Sequence, residues 1–234
     1  MKMRFFVGKQ KDIKRKFIFF MDKEVTKMKE YFVVVSAILM LVFASAGVLA
    51  YTSYLETPHK SISPVQQFSD NSGVIGAWST LNRDYNKVVT NLHTKWLEPG
   101  TAVTLWWVIF NDPSKCTHPE GGFRCGREDL PEFGGDNSAK TSIVYADGRV
   151  IRDSAGHDGI GNFDARLETW DKSGVLSGEG LTNPLGADVH LVLKSHGRLI
   201  QGMTYEMTHT FDGGCDVNTC EDLQYSVHEA LACY

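Results

Sequence analysis

The sequence predicts an all-β fold with a single antiparallel β-sandwich domain, preceded by an N-terminal signal or anchor helix. Two observations predict the sandwich. From Gly73 onward, short apolar or alternating runs are broken by Gly, Asn, Asp and Pro, as in proteins built from many short strands. No stretch after residue 51 has the 3.6-residue apolar repeat of an amphipathic helix.

An uncharged segment of twenty residues, 31–50, predicts export from the cytoplasm. Its sequence, YFVVVSAILMLVFASAGVLA, ends in small residues that suit signal-peptidase cleavage after Ala50. Thirty residues with ten Lys or Arg precede it, which leaves two interpretations open. Either translation starts at Met28 or Met21 and the segment is a cleaved signal peptide, or it is an uncleaved membrane anchor. We expect cleavage, because Gly, Ser and Ala crowd the end of the segment.

The chain is therefore expected to consist of four parts. Residues 1–30 form a basic leader, and residues 31–50 form the signal peptide or anchor. Residues 51–72 are polar and without periodicity, which predicts a tether, and residues 73–234 form the sandwich domain. Both interpretations of the apolar segment place the domain outside the cytoplasm, either secreted or anchored to the outer face of the cytoplasmic membrane.

Charge restricts the partners of the exported part. Residues 1–50 hold 10 of the 24 basic and 4 of the 28 acidic residues, so residues 51–234 hold 14 basic and 24 acidic residues, a net charge of −10. An acidic domain without a basic stripe is unsuited to nucleic acid or to anionic lipid. We expect an extracellular ligand or protein as partner, and membrane contact only through residues 31–50 if they are uncleaved.

Nine segments have the length and composition of strands. The Asp147-Gly148 pair between two of them predicts a two-residue hairpin turn. The candidate strands are residues 74–79, 87–96, 101–110, 142–146, 149–153, 162–169, 187–195, 203–211 and 223–229.

The strand over residues 101–110, TAVTLWWVIF, is apolar on both faces. It follows an L-x-P-G turn at Leu97, which resembles the corner of fibronectin-like sandwiches, although Val103 stands where tyrosine is usual there. The resemblance implies an immunoglobulin/fibronectin-like sandwich, with a jelly-roll-like one as the other form. Such a strand is expected to be central and covered on both sides. The alternative is that Trp106 or Trp107 lies on an open face and stacks against a ligand.

All five cysteines lie in the exported part, where an oxidising environment favours disulfides. Cys116 and Cys125 are nine residues apart, and Cys215 and Cys220 are five apart. Pairing within each of these two groups is the simplest of the connectivities that the spacing allows. Cys233 is left without an assigned partner.

Histidines provide the candidate metal ligands. His190 lies opposite the apolar face of its strand, and His228 lies opposite the apolar face of the last strand. If these strands are neighbours, both rings share one polar surface, and His118 approaches from the loop between Cys116 and Cys125. Three imidazoles suit zinc or copper. The sequence contains no H-x-H pair and no HExxH motif, so this site is the second hypothesis.

Motifs for nucleophilic catalysis are absent from the sequence. There is no G-x-S-x-G element, and the adjacent Ser195 and His196 would point to opposite faces of a strand. No catalytic residue is assigned.

Several runs of the sequence resemble a group of exported prokaryotic all-β proteins of unassigned function. The resemblance spans about residues 92–230 and implies one exported β domain with the two short disulfides, but no activity. The runs are LEPGTAVTLWWVIFNDPSKCTHPEGGFRCGREDL, FDARL, GLTNPLGADVHLVLKSHG, FDGGC and CEDLQYSVHEA.

The function expected from these observations is that of an exported, disulfide-stabilised binding or cell-surface module without catalysis. The alternative is a secreted zinc or copper protein that uses His118, His190 and His228.

Overall fold

Nine antiparallel strands form one sheet in the computed structural model, which describes residues 59–152 and 159–230. Across the sheet the strands follow the order β6-β3-β2-β1-β9-β8-β4-β5-β7. In chain order they are β1 (His59–Gln67), β2 (Gly73–Asp84), β3 (Lys87–Leu97), β4 (Thr101–Phe110), β5 (Thr141–Val150), β6 (Gly159–Glu168), β7 (Val175–Gly178), β8 (Asp188–Arg198) and β9 (Glu221–His228).

The sheet curls into a half-barrel, which brings its two ends towards each other. Arg149 on β5 places its guanidinium 4.7 Å from the centre of the Phe163 ring on β6. The carboxylate of Asp147 accepts the backbone N–H of Asp164 at 3.3 Å. The prediction of an antiparallel all-β fold is confirmed. The described strands belong to one curled sheet, however, and not to the two sheets of a sandwich, because curling allows a single sheet to enclose its own apolar face.

The inside of the half-barrel holds the main core, and β4 contributes to it along its whole length. Val103, Leu105, Trp107 and Ile109 face this interior, in the alternation expected of a strand. The buried residues of the cluster are Val65, Val74, Ala77, Leu81, Val88, Leu92, Leu97, Val103, Leu105, Trp107, Ile109, Val144, Ile151, Phe163, Leu167, Leu181, Ala187, Val189, Leu191 and Leu193.

The outer face of the sheet is covered where β4 runs. Residues 111–140 cross this face in three short 3₁₀ turns, Pro113–Lys115, Arg127–Asp129 and Pro131–Phe133. They bury a second apolar cluster that includes Val108 and Phe110 of β4. Every residue of β4 is buried, so the prediction of a central strand covered on both faces is confirmed.

Two disulfides and one helix complete the outer cover. Cys116 is bonded to Cys125 and Cys215 to Cys220, which is the pairing that the spacing favoured. Helix α1 (Thr204–His209) packs on β4 and β5. Residues 203–211 were expected to form a strand, and this prediction is wrong. The Thr208 hydroxyl bonds the carbonyl of Thr204 one turn back, and Met207 and Thr208 are the buried residues of the helix.

The predicted hairpin at Asp147-Gly148 is also wrong, because β5 runs through both residues. Asp147 pairs with Leu105 and Tyr145 pairs with Trp106, so the chain bulges at the residue between them. A Cβ on Gly148 would lie 1.9 Å from the carbonyl oxygen of Thr208. This glycine therefore allows α1 to approach the strand closely, a role that differs from forming a turn.

Strand β1 lies in the segment expected to be a tether. It occupies the middle of the sheet, between β2 and β9. Its inward residues include Ser63 and also Ser61, whose hydroxyl contacts His228, so the strand lacks the apolar alternation that marks other strands. The four-residue strand β7 was not predicted.

Some predictions fall on residues outside the described part of the chain. These are the basic leader, the apolar segment 31–50, the first part of the tether (residues 51–58) and Cys233. Among the residues that the structure describes, no helix combines the length and the apolar character needed to cross a membrane.

A buried arginine joins the ends of several elements. Arg83 on β2 is 1 % exposed, and one guanidinium nitrogen donates to the carbonyl oxygens of Pro184 and Ala187, each at 2.8 Å. The other nitrogen donates to the carbonyls of His228 at 2.8 Å and Glu229 at 3.2 Å. Burial lowers the pKa of Arg83 to about 10, with the Asp188 carboxylate acting in the opposite direction, so the guanidinium is charged at neutral pH.

We expect the substitution Arg83→Met to lower the free energy of unfolding by about 3 kcal/mol, because it leaves buried carbonyl oxygens without donors. The matched control is Arg166→Met, since the Arg166 side chain is 57 % exposed and pairs only with the exposed Glu168 among its charged neighbours in the described residues. The control should change stability by less than about 0.5 kcal/mol. Urea unfolding of both variants measures the difference, and equal effects would contradict the role assigned to Arg83.

Candidate binding site on the outer face of the sheet

A cavity of about 120 Å³ lies on the outer face, between the sheet and the loops that cover it. Its wall is mainly apolar and rich in aromatic rings, with polar side chains at the mouth. The lining residues are Phe68, Asn71, Trp106, Val108, Phe110, Glu120, Phe123, Cys125, Gly126, Arg127, Leu130, Phe133, Ile143, His190, Val192, Phe211, Asp222, Tyr225 and Val227.

The sheet supplies the floor of this cavity through the outward residues of three neighbouring strands. His190 on β8 lies between Val108 on β4 and Val227 on β9. Two residues further along β8, Val192 lies between Trp106 and Tyr225. Because side chains alternate along each strand, this register places all of these side chains on one surface.

Aromatic rings contact one another around the cavity. The Phe110 ring lies 5.0 Å from the His190 ring, and the Trp106 ring lies 5.1 Å from Phe211 in an edge-to-face arrangement. On another side, Phe68 and Tyr225 are 5.3 Å apart, also edge to face. These contacts hold the rings in defined orientations and give the cavity a preformed shape.

The loop closed by Cys116 and Cys125 forms one wall of the cavity and is organised by a buried carboxylate. Asp129 accepts the backbone N–H groups of Thr117 at 2.8 Å, Gly126 at 3.0 Å and His118 at 3.2 Å. Burial alone would raise the pKa of Asp129, but these hydrogen bonds outweigh it and lower the pKa below the usual value. The ionised carboxylate therefore fixes the loop in place.

A chain of hydrogen bonds orients Trp106 and connects it to the second disulfide loop. The Trp106 indole N–H donates to the Thr104 hydroxyl at 2.7 Å, and that hydroxyl lies 2.8 Å from Nε2 of His196. Nδ1 of His196 lies 2.9 Å from the carbonyl of Gly213, two residues before Cys215. The carbonyl of Gly213 only accepts, so Nδ1 carries a proton, and the Thr104 hydroxyl can donate to Nε2 of the neutral imidazole. Burial lowers the pKa of His196 in agreement with this state.

Charges at the mouth of the cavity have partners within the protein. The Lys194 ammonium lies 4.3 Å from the centre of the Phe211 ring and 3.8 Å from the Asp222 carboxylate. The Arg127 guanidinium lies 4.3 Å from the centre of the Phe133 ring. Glu120 accepts the backbone N–H of Arg127 at 2.8 Å. The charges of the two cations and the two carboxylates thus cancel, and the mouth carries no strong charge of one sign.

His190 is a polar residue in the floor of the cavity. Its Nε2 atom is buried and has no hydrogen-bond partner among the described residues. Burial lowers the pKa of His190 to about 4, so the ring is neutral at physiological pH. The ring therefore offers an unsatisfied nitrogen beside an aromatic cavity.

The structure does not bring the three predicted metal ligands together. On neighbouring strands, His190 pairs with Val227 and His228 pairs with Val189, so the two histidines face opposite sides of the sheet. The prediction that they share one surface is wrong, because it assumed that the polar faces of both strands point the same way. In β9 the polar residues point into the half-barrel instead. His118 lies on the outer side, where its Nδ1 is 3.3 Å from Asp129 and its Nε2 is 4.0 Å from Glu128.

His228 belongs to a polar cluster inside the half-barrel. Its Nδ1 lies 2.8 Å from the Ser61 hydroxyl, and its Nε2 lies 2.8 Å from the Ser79 hydroxyl. Ser79 in turn contacts Ser226 at 2.5 Å. Burial, then the charge of Arg83 and then His190 lower the pKa of His228 to about 3. The ring is therefore neutral and structural, and it does not line the outer-face cavity.

Two other groups of ligand-type atoms occur in the described residues. One is His196 with Cys215 and Cys220, and the other is Asp129 with Cys116 and Cys125. In both groups the sulfur atoms form disulfides, and a disulfide has no thiolate to bind zinc or copper.

The two tryptophans considered as stacking residues have different positions. Trp106 lines the cavity, whereas Trp107 is fully buried in the interior core and cannot reach a ligand. Sequence reasoning missed the rings of Phe68, Phe123 and Phe211, which come from loops. The available signal was the alternation of side chains between the two faces of β4, β8 and β9. It predicts Trp106, Phe110 and His190 on one surface once the strands are known to be neighbours.

The buried neutral His228 predicts a dependence of stability on pH. Its pKa rises from about 3 in the folded chain to about 6.5 in the unfolded chain, so unfolding takes up a proton between these values. The contribution of His228 is fully present above pH 6.5 and is lost as the pH falls, by about 1.4 kcal/mol per pH unit. In His228→Gln, the slope of the unfolding free energy against pH between 5 and 6 should decrease by about this amount. An unchanged slope in urea titrations would contradict a neutral buried ring.

Comparisons of the chain with protein-family models, with curated proteins and with solved structures found no match. The functional argument accordingly starts from the geometry of the outer-face cavity.

Proposed function

We propose that this protein is an exported, disulfide-stabilised binding module, and that its outer-face cavity holds a small aromatic or apolar group of an extracellular ligand. The observation that carries the proposal is the cavity itself, about 120 Å³ in volume and walled by aromatic rings beside the loop closed by Cys116 and Cys125. Preformed apolar cavities with a few polar groups are the usual form of small-molecule sites.

The volume indicates the size of the group that fits. An apolar protein cavity of about 150 Å³ is known to hold benzene, so a cavity of about 120 Å³ suits one aromatic ring or an aliphatic group of similar size. The ring walls then contact the ligand by edge-to-face or offset stacking. A larger ligand would place one ring in the cavity and its remaining atoms at the mouth.

The charges favour a neutral ligand over a cationic one. Aromatic walls attract ammonium groups, but a buried cation also needs a carboxylate to offset its loss of water. The two carboxylates at the mouth are engaged, Asp222 with Lys194 and Glu120 with the backbone of Arg127. Lys194 and Arg127 already occupy two of the ring faces.

The described residues support binding without catalysis. The contact between Ser79 and His228 has the distance of a nucleophile and its base, but Ser79 is fully buried and does not line the outer-face cavity. Export is supported by the apolar segment 31–50 and by the two disulfides, which persist in oxidising compartments.

Toluene binding tests this proposal. The full-length chain, produced by export from the host cell, should bind toluene with a Kd on the order of 0.1–1 mM in calorimetric titrations, as expected for about seven heavy atoms in an apolar site. The substitution Val192→Phe adds a ring to the floor of the cavity and should abolish binding.

The matched control is Val89→Phe, at a partly buried position of β3 that does not line the cavity. It should leave the toluene affinity unchanged, and circular dichroism checks that both variants are folded. Absence of toluene binding to the wild-type protein, or equal binding by folded Val192→Phe, would contradict the proposal.

A further inference from the structure

We infer that the bound group is a hydroxylated aromatic ring, of the phenol class, whose hydroxyl forms a hydrogen bond with Nε2 of His190. This inference rests on the proposed function, since it specifies the chemistry of a ligand in the same cavity. Several buried side-chain atoms of the described residues have no hydrogen-bond partner, but only His190 Nε2 belongs to a residue that lines the cavity. This atom has almost no accessible surface in the unliganded structure, so binding includes a small turn of the imidazole that exposes Nε2 to the ligand.

The protein itself offers no partner for this nitrogen. The residues opposite His190 on the neighbouring strands are Val108 and Val227. The rings of Phe110 and Phe123 lie 5.0 Å and 6.4 Å from the imidazole. A buried polar atom among apolar side chains has lost its bonds to water and gains none in return, so a ligand that supplies one hydrogen bond is favoured.

A bound water does not replace such a ligand. A buried water typically makes two to four hydrogen bonds to protein groups. In the cavity wall the Tyr225 hydroxyl already donates to Asn71 at 2.9 Å, and the carboxylates at the mouth are engaged as described above. The neighbours of the imidazole are two valines and two phenylalanine rings, which give a water on His190 no second hydrogen bond.

A hydroxyl matches both tautomers of the neutral ring. It donates to Nε2 when that nitrogen carries a lone pair and accepts when it carries the proton. An ammonium can only donate, and a carboxylate can only accept and would need a free cation. The cations near the mouth, Lys194 and Arg127, face aromatic rings of the protein. In a neutral hydroxylated aromatic ring, the hydroxyl forms the hydrogen bond with the nitrogen and the ring contacts the apolar walls.

The test compares phenol with toluene, which have nearly the same shape, in the wild-type protein and in His190→Leu. The ratio of the toluene Kd to the phenol Kd should fall about tenfold in the variant, as expected for the loss of one buried hydrogen bond. Using this ratio cancels the different hydration of the two ligands. The control is His93→Leu on the outer face of β3, outside the cavity lining, which should leave the ratio unchanged.

The ring nitrogens of His190 provide a second measurement that needs no variant. In ¹⁵N NMR spectra, saturating phenol should move the Nε2 signal, and saturating toluene should leave it near its unliganded position. If toluene binds but phenol does not move this signal, or if the ratio is unchanged in His190→Leu, the hydroxyl inference is overturned and the proposed cavity function stands. If neither ligand binds the wild-type protein, both fail. Tighter binding of tetramethylammonium than of phenol would also overturn the inference, in favour of a cation.

Discussion

All ten residues of β4 are buried, so the sheet must be covered on both faces where this strand runs. On the inner face the sheet provides the cover itself, because it curls until β5 and β6 are in contact. On the outer face the cover comes from residues 111–140, from α1 and from the loop of the second disulfide. Burial of a strand on both sides therefore accounts for the curl of the sheet and for the long loop between β4 and β5.

The two covers are built differently, and the difference creates the site. The inner core is a close-packed set of aliphatic and aromatic side chains. The outer cover consists of short turns and loops with little regular structure, and it leaves space above Trp106, Phe110 and His190. The disulfides and the hydrogen bonds of Asp129 and His196 hold these loops in position. They restrict the unfolded chain and fix the shape of the cavity walls, and that fixed shape is what a binding site requires.

The antiparallel all-β class, most strands and the cysteine pairing could be predicted, because these depend on local pattern, whereas the assembly of the strands into one curled sheet could not. Strand β1 was missed since its inward serines contact His228 and other polar groups, so its pattern carries no apolar alternation. Gly148 was assigned to a turn, because a glycine required for close approach of α1 has the same local sequence as a hairpin glycine. The direction in which each polar face points was the decisive unknown. That direction depends on which strands are neighbours. In the structure His190 and His228 face opposite sides of the sheet, and His190 lines the cavity.

A crystal of the exported protein soaked with bromobenzene tests the central claim most directly, because bromine can be located by its anomalous scattering. The account predicts one main bromine peak on the outer face, with the ring among Trp106, Phe110 and His190. Bromine only in the inner core, or only at the exposed Trp78 of β2, which does not line the cavity, would contradict it. So would a soaked crystal whose cavity remained empty.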